Sequence, residues 1–575
     1  MNRSFASLAN KQFDLLVCGG GIYGAWTAYD AALRGLNVAI VEQGDWAGAT
    51  SSASSKLIHG GLRYLESLDF KLVKKALAER QMLLAMAPHR VWPLRFGLPV
   101  YTDSRVGTFQ MKAGLFMYDS LADNLSAGMA HHHFDQKPFA GRFPFLAEAG
   151  LKGGFTYGDA QTDDARLVLE LVSGAMAAGA VCVNYCRLTD VIEADGQACG
   201  ATVQDVSHSS FDNAFRAPLI IQASSLPQKR EPSQINKLDS RLRGNDELLE
   251  VPFNSERSRR DRANGILEVR AKQIVNATGQ WTAATEQGRG WCRLDKGTHL
   301  VMPALPTEEA MLLTAKSDGR VFFMIPWYGM TLLGTTDADY SGDLDHVAVE
   351  PEEVSYLLAE ANRYLKTAWT EKDVVGSYAG LRVMKRGNEA YPVAASRDWE
   401  VKTAGNGVHY SIGGKLTSAR EDASHIVDTV CAQLGIDTPC ATRNRTFPWA
   451  PEADYARWFV AASTQAMQLG IDQESAKWLI RRHGKRVSEV FRIIEGDPSL
   501  AGRIVPALPF ILADLLFCAR DEMAVHLSDL LRRRLPLLIL ARLGESDLCR
   551  LAELVAPVLG WDAGRIAQEV EGCRQ

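Results

Sequence analysis

Ten cysteines are scattered through 575 residues without one C-x-x-C pair, so the spacing that marks a zinc site or a thioredoxin-type redox centre is missing. No disulfide framework and no metal site are expected. Cys182 and Cys186, four apart in an apolar run, read as small buried residues. His131-His132-His133 has no companion ligands nearby and reads as a polar loop. Positive charge is also in short supply: 63 Lys and Arg face 68 Asp and Glu, for a net charge of −5 and a pI near 6.2. That balance argues against a general nucleic-acid binder. No uninterrupted apolar run reaches the roughly 18–20 residues of a membrane-spanning helix; residues 504–519 come nearest and are broken by Asp514. Residues 1–10 hold one arginine and no apolar core, unlike a secretory signal. What is left is a cytoplasmic protein, or one attached to the cytoplasmic face of a membrane. Its length implies about two to four domains.

What is there begins with Phe13-Asp14-Leu15-Leu16-Val17-Cys18, a run suited to a buried parallel strand, followed by Gly19, Gly21 and Gly24 in G-x-G-x-x-G spacing. Gly19 allows the tight turn, Gly21 lets a pyrophosphate approach the backbone, and Gly24 lets the following helix pack close. The amides at that helix's N-terminus face the phosphates. A second strand, Asn37-Val38-Ala39-Ile40-Val41, ends at Glu42, whose carboxylate can accept from ribose hydroxyls. The unit predicts a dinucleotide site and leaves FAD and NAD both open. A later strand, Ile274-Val275-Asn276, runs into Ala277-Thr278-Gly279, a turn that in related flavoproteins passes near the cofactor; its return from so far away favours FAD.

The segment after the cradle is richer in chemistry. Residues 44–55 are Gly, Ala, Ser and Thr-rich, as suits a loop lying against a ligand. A long helix is expected over 62–85. The string Ala49-Thr50-Ser51-Ser52-Ala53-Ser54-Ser55-Lys56-Leu57-Ile58-His59-Gly60-Gly61-Leu62-Arg63-Tyr64-Leu65-Glu66 resembles the signature of the FAD-dependent glycerol-3-phosphate dehydrogenases. In the same order as in that family come Lys296-Gly297-Thr298-His299, Ile325-Pro326-Trp327, Gly334-Thr335-Thr336-Asp337, Tyr378-Ala379-Gly380-Leu381-Arg382, Ser396-Arg397-Asp398 and Gly413-Gly414-Lys415-Leu416-Thr417. Val383-Met384 departs from the Pro-Leu that often follows the arginine.

Two further stretches complete the organisation. Residues 206–264 turn to Ser, Asn, Pro and charge, and read as an inserted surface loop where the family has a shorter connection. Beyond Arg443 apolar residues recur at helical spacing over 453–469, 474–494, 508–520 and around Leu548. The arginine-rich stretch at 532–534 suits packing against the flavin domain, with docking on anionic lipid as the alternative. Asp163 or Asp164 is expected to cap the helix that follows.

The resemblance implies an α/β fold. It comprises a Rossmann-like FAD-binding domain with an interleaved antiparallel-sheet substrate domain over 1–440, and a C-terminal α-helical domain over 441–575. It implies oxidation of sn-glycerol 3-phosphate to dihydroxyacetone phosphate, with electrons passed to a membrane quinone and peripheral attachment to the inner face of the cell membrane. A homodimer is compatible with this. FAD contacts are expected from Gly19, Gly21, Gly24, Glu42, Thr50, Ser51, Ser52, Lys56, Leu57, Gly60, Ala277, Thr278, Gly279, Gly414, Lys415, Leu416 and Thr417. A phosphate needs guanidinium forks, and Arg63, Arg382 and Arg397 are the candidates, with Tyr64 and Lys415 as further donors. His299 is the preferred base, because imidazole titrates near working pH, and His59 is the second. A site without a dedicated base, stabilising the alkoxide by cations, is a third possibility. An oxidase delivering electrons to oxygen and a non-turnover flavin sensor are the competing functions.

Overall fold

The fold rests on two sheets that differ in strand direction. The computed structural model describes residues 1–66, 68–122, 128–207, 265–386, 399–452 and 454–574. The first sheet runs in the order Glu400–Thr403, His409–Ile412, Ile266–Asn276, Gln12–Cys18, Val38–Val41, Val181–Val183, with the apolar runs 15–18 and Val38–Val41 at its centre. Its central pairings are parallel. Parallel strands are covered on both faces, and here helices Ile22–Leu33, Asp164–Ala177 and Ala419–Leu434 contribute to one core with them. Asp163 caps the second of these helices, accepting from the amide of Arg166 at 3.3 Å.

The second sheet is covered on both faces along its long strands, Leu151–Thr162 and Cys292–Met302 being buried almost throughout. It runs Ala338–Tyr340, Cys292–Met302, Met330–Gly334, Val321–Trp327, Ala310–Thr314, Val91–Tyr101, Leu151–Thr162, Leu57–Ile58, and Gly376–Lys385 also pairs with Cys292–Met302. Pairing is antiparallel apart from Ala310–Thr314 beside Val91–Tyr101, so the expected antiparallel sheet is in fact mixed. The last strand matters for the site. Leu57–Ile58 pairs with Gln161 and Ala160, so the chain leaving the cradle crosses directly to the second sheet.

Three expectations need correcting, and a fourth, the packing of the arginine-rich segment, is borne out. No single helix covers 62–85: a 3-10 turn at Leu62–Leu65 precedes the helix Phe70–Met86. The break follows from left-handed Leu68 (φ 58) and from Asp69, whose carboxylate accepts from Leu72 N at 3.1 Å and starts a new helix. The apolar run 474–494 splits into Gln473–His483 and Val487–Gly496 at Gly484, where a Cβ would sit 2.1 Å from Trp449 O. His132 and His133 belong to a short strand on Leu151–Thr162, and His131 Nδ1 lies 2.6 Å from Asp119. The arginine-rich segment Leu530–Arg534 faces the flavin domain: Arg533 Nε and Arg534 Nη1 each donate to Asp45 at 2.5 Å.

C-terminal helices share a core with the second sheet, Trp478, Leu515 and Leu551 packing with Trp92 and Val301. Buried ion pairs Arg166–Glu522 and Arg482–Asp514 lie in the same region. Desolvation makes such pairs expensive unless well bonded, and losing one partner costs about 3–5 kcal/mol. Cys182 and Cys186 are buried in strands, as expected. Among the described residues, no helix is long and apolar enough to cross a membrane. The insert expected at 206–264 lies almost wholly outside the described residues; the strands flanking it pair with Ile266 opposite Gln204.

Candidate active site

One cavity runs from the glycine cradle to the second sheet, lined by residues of both. At its base Gly19 has φ +111 and its amide donates to Val41 O at 2.8 Å. A Cβ there would lie 2.4 Å from Ala277 O, and one on Gly24 would lie 1.8 Å from Gly19 O. Gly19 thus lets the Ala277-Thr278-Gly279 turn close on the first strand, and Gly24 brings the helix against it. Gly21 precedes the helix Ile22–Leu33, whose first amide donates to Ser51 Oγ at 2.9 Å. Gly19 and Gly21 line the cavity, whereas Gly24 lies behind it.

Glu42 also lines it, but in a different role from a free ribose acceptor. Its carboxylate accepts from Gly20 N at 2.5 Å and Gly44 N at 2.8 Å. Burial raises its pKa against the opposing pull of those amides. Each oxygen retains lone pairs for a hydroxyl.

The loop after the cradle divides. Thr50, Ser51, Leu57 and His59 line the cavity; Ser52, Lys56 and Gly60 do not. Lys56 is buried, its Nζ donating to Ser52 O at 2.5 Å and to Asp164 at 2.7 Å. It is a pin between the loop and the helix Asp164–Ala177, since an ammonium buried this deeply needs a carboxylate. Gly60 N donates to Tyr118 Oη at 2.9 Å, and a Cβ there would meet Tyr118 and Leu77. That glycine serves helix packing.

The second glycine loop is clamped onto the first. Gly414 has φ +101, and a Cβ would overlap Tyr23 Oη at 1.7 Å. Tyr23 Oη accepts from Lys415 N at 2.9 Å and donates to Asp422 at 2.7 Å. Thr417 Oγ1 accepts from His59 N at 3.1 Å. Gly414, Lys415, Leu416 and Thr417 all line the cavity. Lys415 Nζ stands 4.0 Å from the Tyr64 ring centroid, and the Arg63 guanidinium 5.5 Å from it on the same cavity wall.

Opposite stands the strand Cys292–Met302. His299 is buried, pairs in register with Gly334 and Tyr378, and stacks on the Tyr378 ring at 4.9 Å and 14°. Its Nε2 lies 2.8 Å from Ser55 Oγ, and Nδ1 has no hydrogen-bond partner among the described residues. Burial, with Lys56 and Arg382 nearby, pushes its pKa down to about 3, so the ring is neutral at any working pH. Arg382 sits across from Asp295 in the ladder. Its Nε lies 2.8 Å from Asp295, and its Nη2 lies 3.3 Å from Asp337 and donates to Thr336 O at 2.9 Å. Arg397 lies outside the described residues.

The description FAD dependent oxidoreductase matches residues 14–224 and 243–420, and the C-terminal domain of alpha-glycerophosphate oxidase matches 440–566. Glycerol-3-phosphate dehydrogenase 2 of Mycobacterium tuberculosis is 33% identical over 573 residues, covering 98% of this chain and 88% of that protein. The chain belongs to the FAD-dependent glycerol-3-phosphate dehydrogenase family. Within that family it is also 31% identical over 593 residues to the glycerol-3-phosphate dehydrogenase of Synechocystis sp., covering 99% of this chain and 97% of the relative. The solved glycerol-3-phosphate dehydrogenase from Bacillus halodurans, complexed with FAD, superposes with a TM-score of 0.73 at 26% identity, over 99% of this chain and 95% of that one.

The cradle fits the cofactor that gives the family its name. A Cβ on Gly19 would meet Ala277 O, Gly21 leads into the helix Ile22–Leu33 on the cavity wall, and the Glu42 carboxylate lines the same cavity, a combination suited to a pyrophosphate and a ribose. Residues not singled out from sequence complete the site: Tyr23, Ser55, Tyr378, Asp295, Asp337 and Arg320, whose Nη1 donates to Asp337 O. Asp295 was discoverable. Asp295, Gly297 and His299 alternate along one strand and therefore share a face.

Proposed function

We propose that this chain oxidises sn-glycerol 3-phosphate to dihydroxyacetone phosphate, passing the electrons to a membrane quinone. The observation that carries the reading is the convergence, in one cavity, of the dinucleotide cradle, a neutral buried imidazole at His299 and the cations Arg63, Arg382 and Lys415. Gly19, Gly21, Glu42, Thr50, Ser51, Leu57, Ala277–Gly279 and Gly414–Thr417 are assigned to hold FAD. When bound, FAD supplies the hydride acceptor. Arg382, Arg63 and Lys415 hold the phosphate, the guanidiniums by paired hydrogen bonds. His299 accepts the hydroxyl proton at Nδ1, while Ser55 fixes the ring through Nε2. Its low pKa in the absence of an anion rises when a phosphate dianion enters, because opposite charge favours the imidazolium.

Attachment to an anionic membrane surface is supported by a patch beside the cavity wall. The helix Thr108–Leu121 buries only Leu115 and Tyr118, and turns Phe109 (84% exposed) and Phe116 (67%) outward, with Leu68, Phe70 and Met117 also exposed. Lys71, Lys74 and Lys112 are exposed on the same two helices, in a chain of net charge −5. Exposed apolar side chains on helices that also carry exposed lysines are what a bilayer with acidic lipids selects. Replacing Phe109 and Phe116 by serine abolishes co-sedimentation with phosphatidylglycerol vesicles on this reading; unchanged sedimentation refutes it, and loss of a dimer instead assigns the patch to a second copy.

Anaerobic titration with glycerol 3-phosphate tests the whole. The flavin spectrum bleaches and is restored by a quinone analogue. Restoration by oxygen alone, with stoichiometric hydrogen peroxide, establishes the oxidase reading, which the C-terminal match favours by its description. No bleaching rejects the substrate.

A further inference from the structure

His299 is held by contacts that come from outside its own strand. Its Nε2 lies 2.8 Å from Ser55 Oγ, its ring stacks on Tyr378, and a Cβ on Gly334 would stand 2.6 Å from its Cδ2. Tyr378 is anchored in turn, its Oη donating to Ser54 O at 2.9 Å. The edge and the face of the imidazole therefore both depend on where residues 54 and 55 lie.

Those residues are fixed from behind. Asp164 is buried, off the cavity wall, at the start of the helix Asp164–Ala177. Its Oδ2 accepts from Ser54 Oγ at 2.7 Å and from Ser54 N at 3.2 Å, and its Oδ1 accepts from Lys56 Nζ at 2.7 Å. Lys56 N closes this bracket by donating to Ser54 Oγ at 3.0 Å. Within it Lys56 takes φ 60, a left-handed conformation that an L side chain resists. Lys56 Nζ also stands 5.1 Å from the centroid of the Tyr378 ring and 5.2 Å from that of Trp327, distances at which an aromatic ring attracts a cation. Burying both charges is costly; what the pair fixes here is the path of three consecutive residues, two of which line the cavity.

We propose that Asp164 is a positioning residue for His299, setting the ring's edge contact through Ser55 and its face contact through Tyr378. This rests on the reading of His299 as the proton acceptor. Asp164 has no bond to His299 among the described residues, so it acts only through the bracket. With the bracket intact, Ser55 holds Nε2 in a hydrogen bond, one neutral tautomer is populated, and the other ring nitrogen is left to take the proton. With the bracket lost, Ser55 and Tyr378 move independently, and the base is out of place in most molecules.

Two measurements on the FAD-loaded full-length chain test this. The first needs no turnover: nitrogen-15 NMR of labelled histidines, the His299 signals being identified by their loss in His299→Ala. At neutral pH the wild type shows one neutral tautomer with Nε2 protonated, whereas Asp164→Ala shows two tautomers in exchange. The second is a double-mutant cycle on flavin reduction by saturating glycerol 3-phosphate. Asp164→Ala slows reduction about 10–100-fold, the size of loss that a misplaced reacting group produces, with FAD content and apparent Kd for the substrate within about twofold. In the His299→Ala background the same substitution changes the rate less than about twofold, because the two residues act as one unit. An unchanged rate, additive losses, or a single tautomer retained in Asp164→Ala overturns the proposal. If Asp164→Ala does not fold, Asp164→Asn takes its place: it keeps an acceptor for Ser54, loses the charge facing Lys56, and shows the same pattern with smaller losses. Failure of glycerol 3-phosphate to bleach the flavin rejects the substrate, and the tautomer measurement then decides the positioning role alone.

Discussion

The cradle at 12–42 and the opposing strand wall at 292–302 and 376–385 build the two halves of one cavity by different physics. In the cradle, function resides in backbone: glycines where a Cβ would overlap Ala277 O or Gly19 O, and amides at a helix start. The glycines and the helix start are adjacent in sequence, and only the Ala277 turn comes from far along the chain. In the wall, function resides in side chains that meet only across a ladder, His299 beside Tyr378 and Arg382 beside Asp295. The first kind of site tolerates little change but is easily read; the second is tuned by partners far away in the chain.

The sharpest way to separate the halves is to damage one and measure the other. Gly24→Ala places a Cβ 1.8 Å from Gly19 O, and should cost more than about tenfold in flavin content, measured by absorbance per protein on folded material. His299→Ala should leave FAD bound and slow flavin reduction about 10²–10⁴-fold in stopped flow, the span of a positioned base; an unaltered rate passes the role to His59 or to none. The second-order rate of flavin reduction at low glycerol 3-phosphate, which reports the unliganded wild-type enzyme, should show no acid loss attributable to His299 until the pH approaches about 3, because burial keeps the imidazole neutral above it. Arg382→Ala should raise KM for glycerol 3-phosphate about 10–100-fold with flavin content unchanged, as expected for one charge-assisted contact of about 1.5–3 kcal/mol. Removing 225–242, the residues between the two matched segments, should leave kcat/KM within about twofold, since added length in a connection costs little; failure to fold would show that the segment packs.

Lys56 shows where reading a motif misleads. It sits in the most distinctive string of the sequence, yet its ammonium is turned away from the cavity onto Asp164 and Ser52 O. Nothing in residues 49–66 announces Asp164, which lies more than a hundred positions on. Gly60 is similar, serving Tyr118 and Leu77 rather than a cofactor. Tyr23, by contrast, was in plain view inside the cradle, but its partners Lys415 and Asp422 lie almost four hundred residues away.

Sequence alone determined the dinucleotide cradle, the order of the family segments, the helical C-terminal region and the arginine and histidine candidates. Those follow from local spacing, because a tight turn, a helix start and a strand period are each set by neighbours in the chain. Only the tertiary structure decided which candidates face the cavity, that Asp295 and Asp337 hold Arg382, and that Arg533 and Arg534 close on Asp45. Charge and burial at those positions are properties of what packs together, and strand register brings together residues that the sequence keeps far apart.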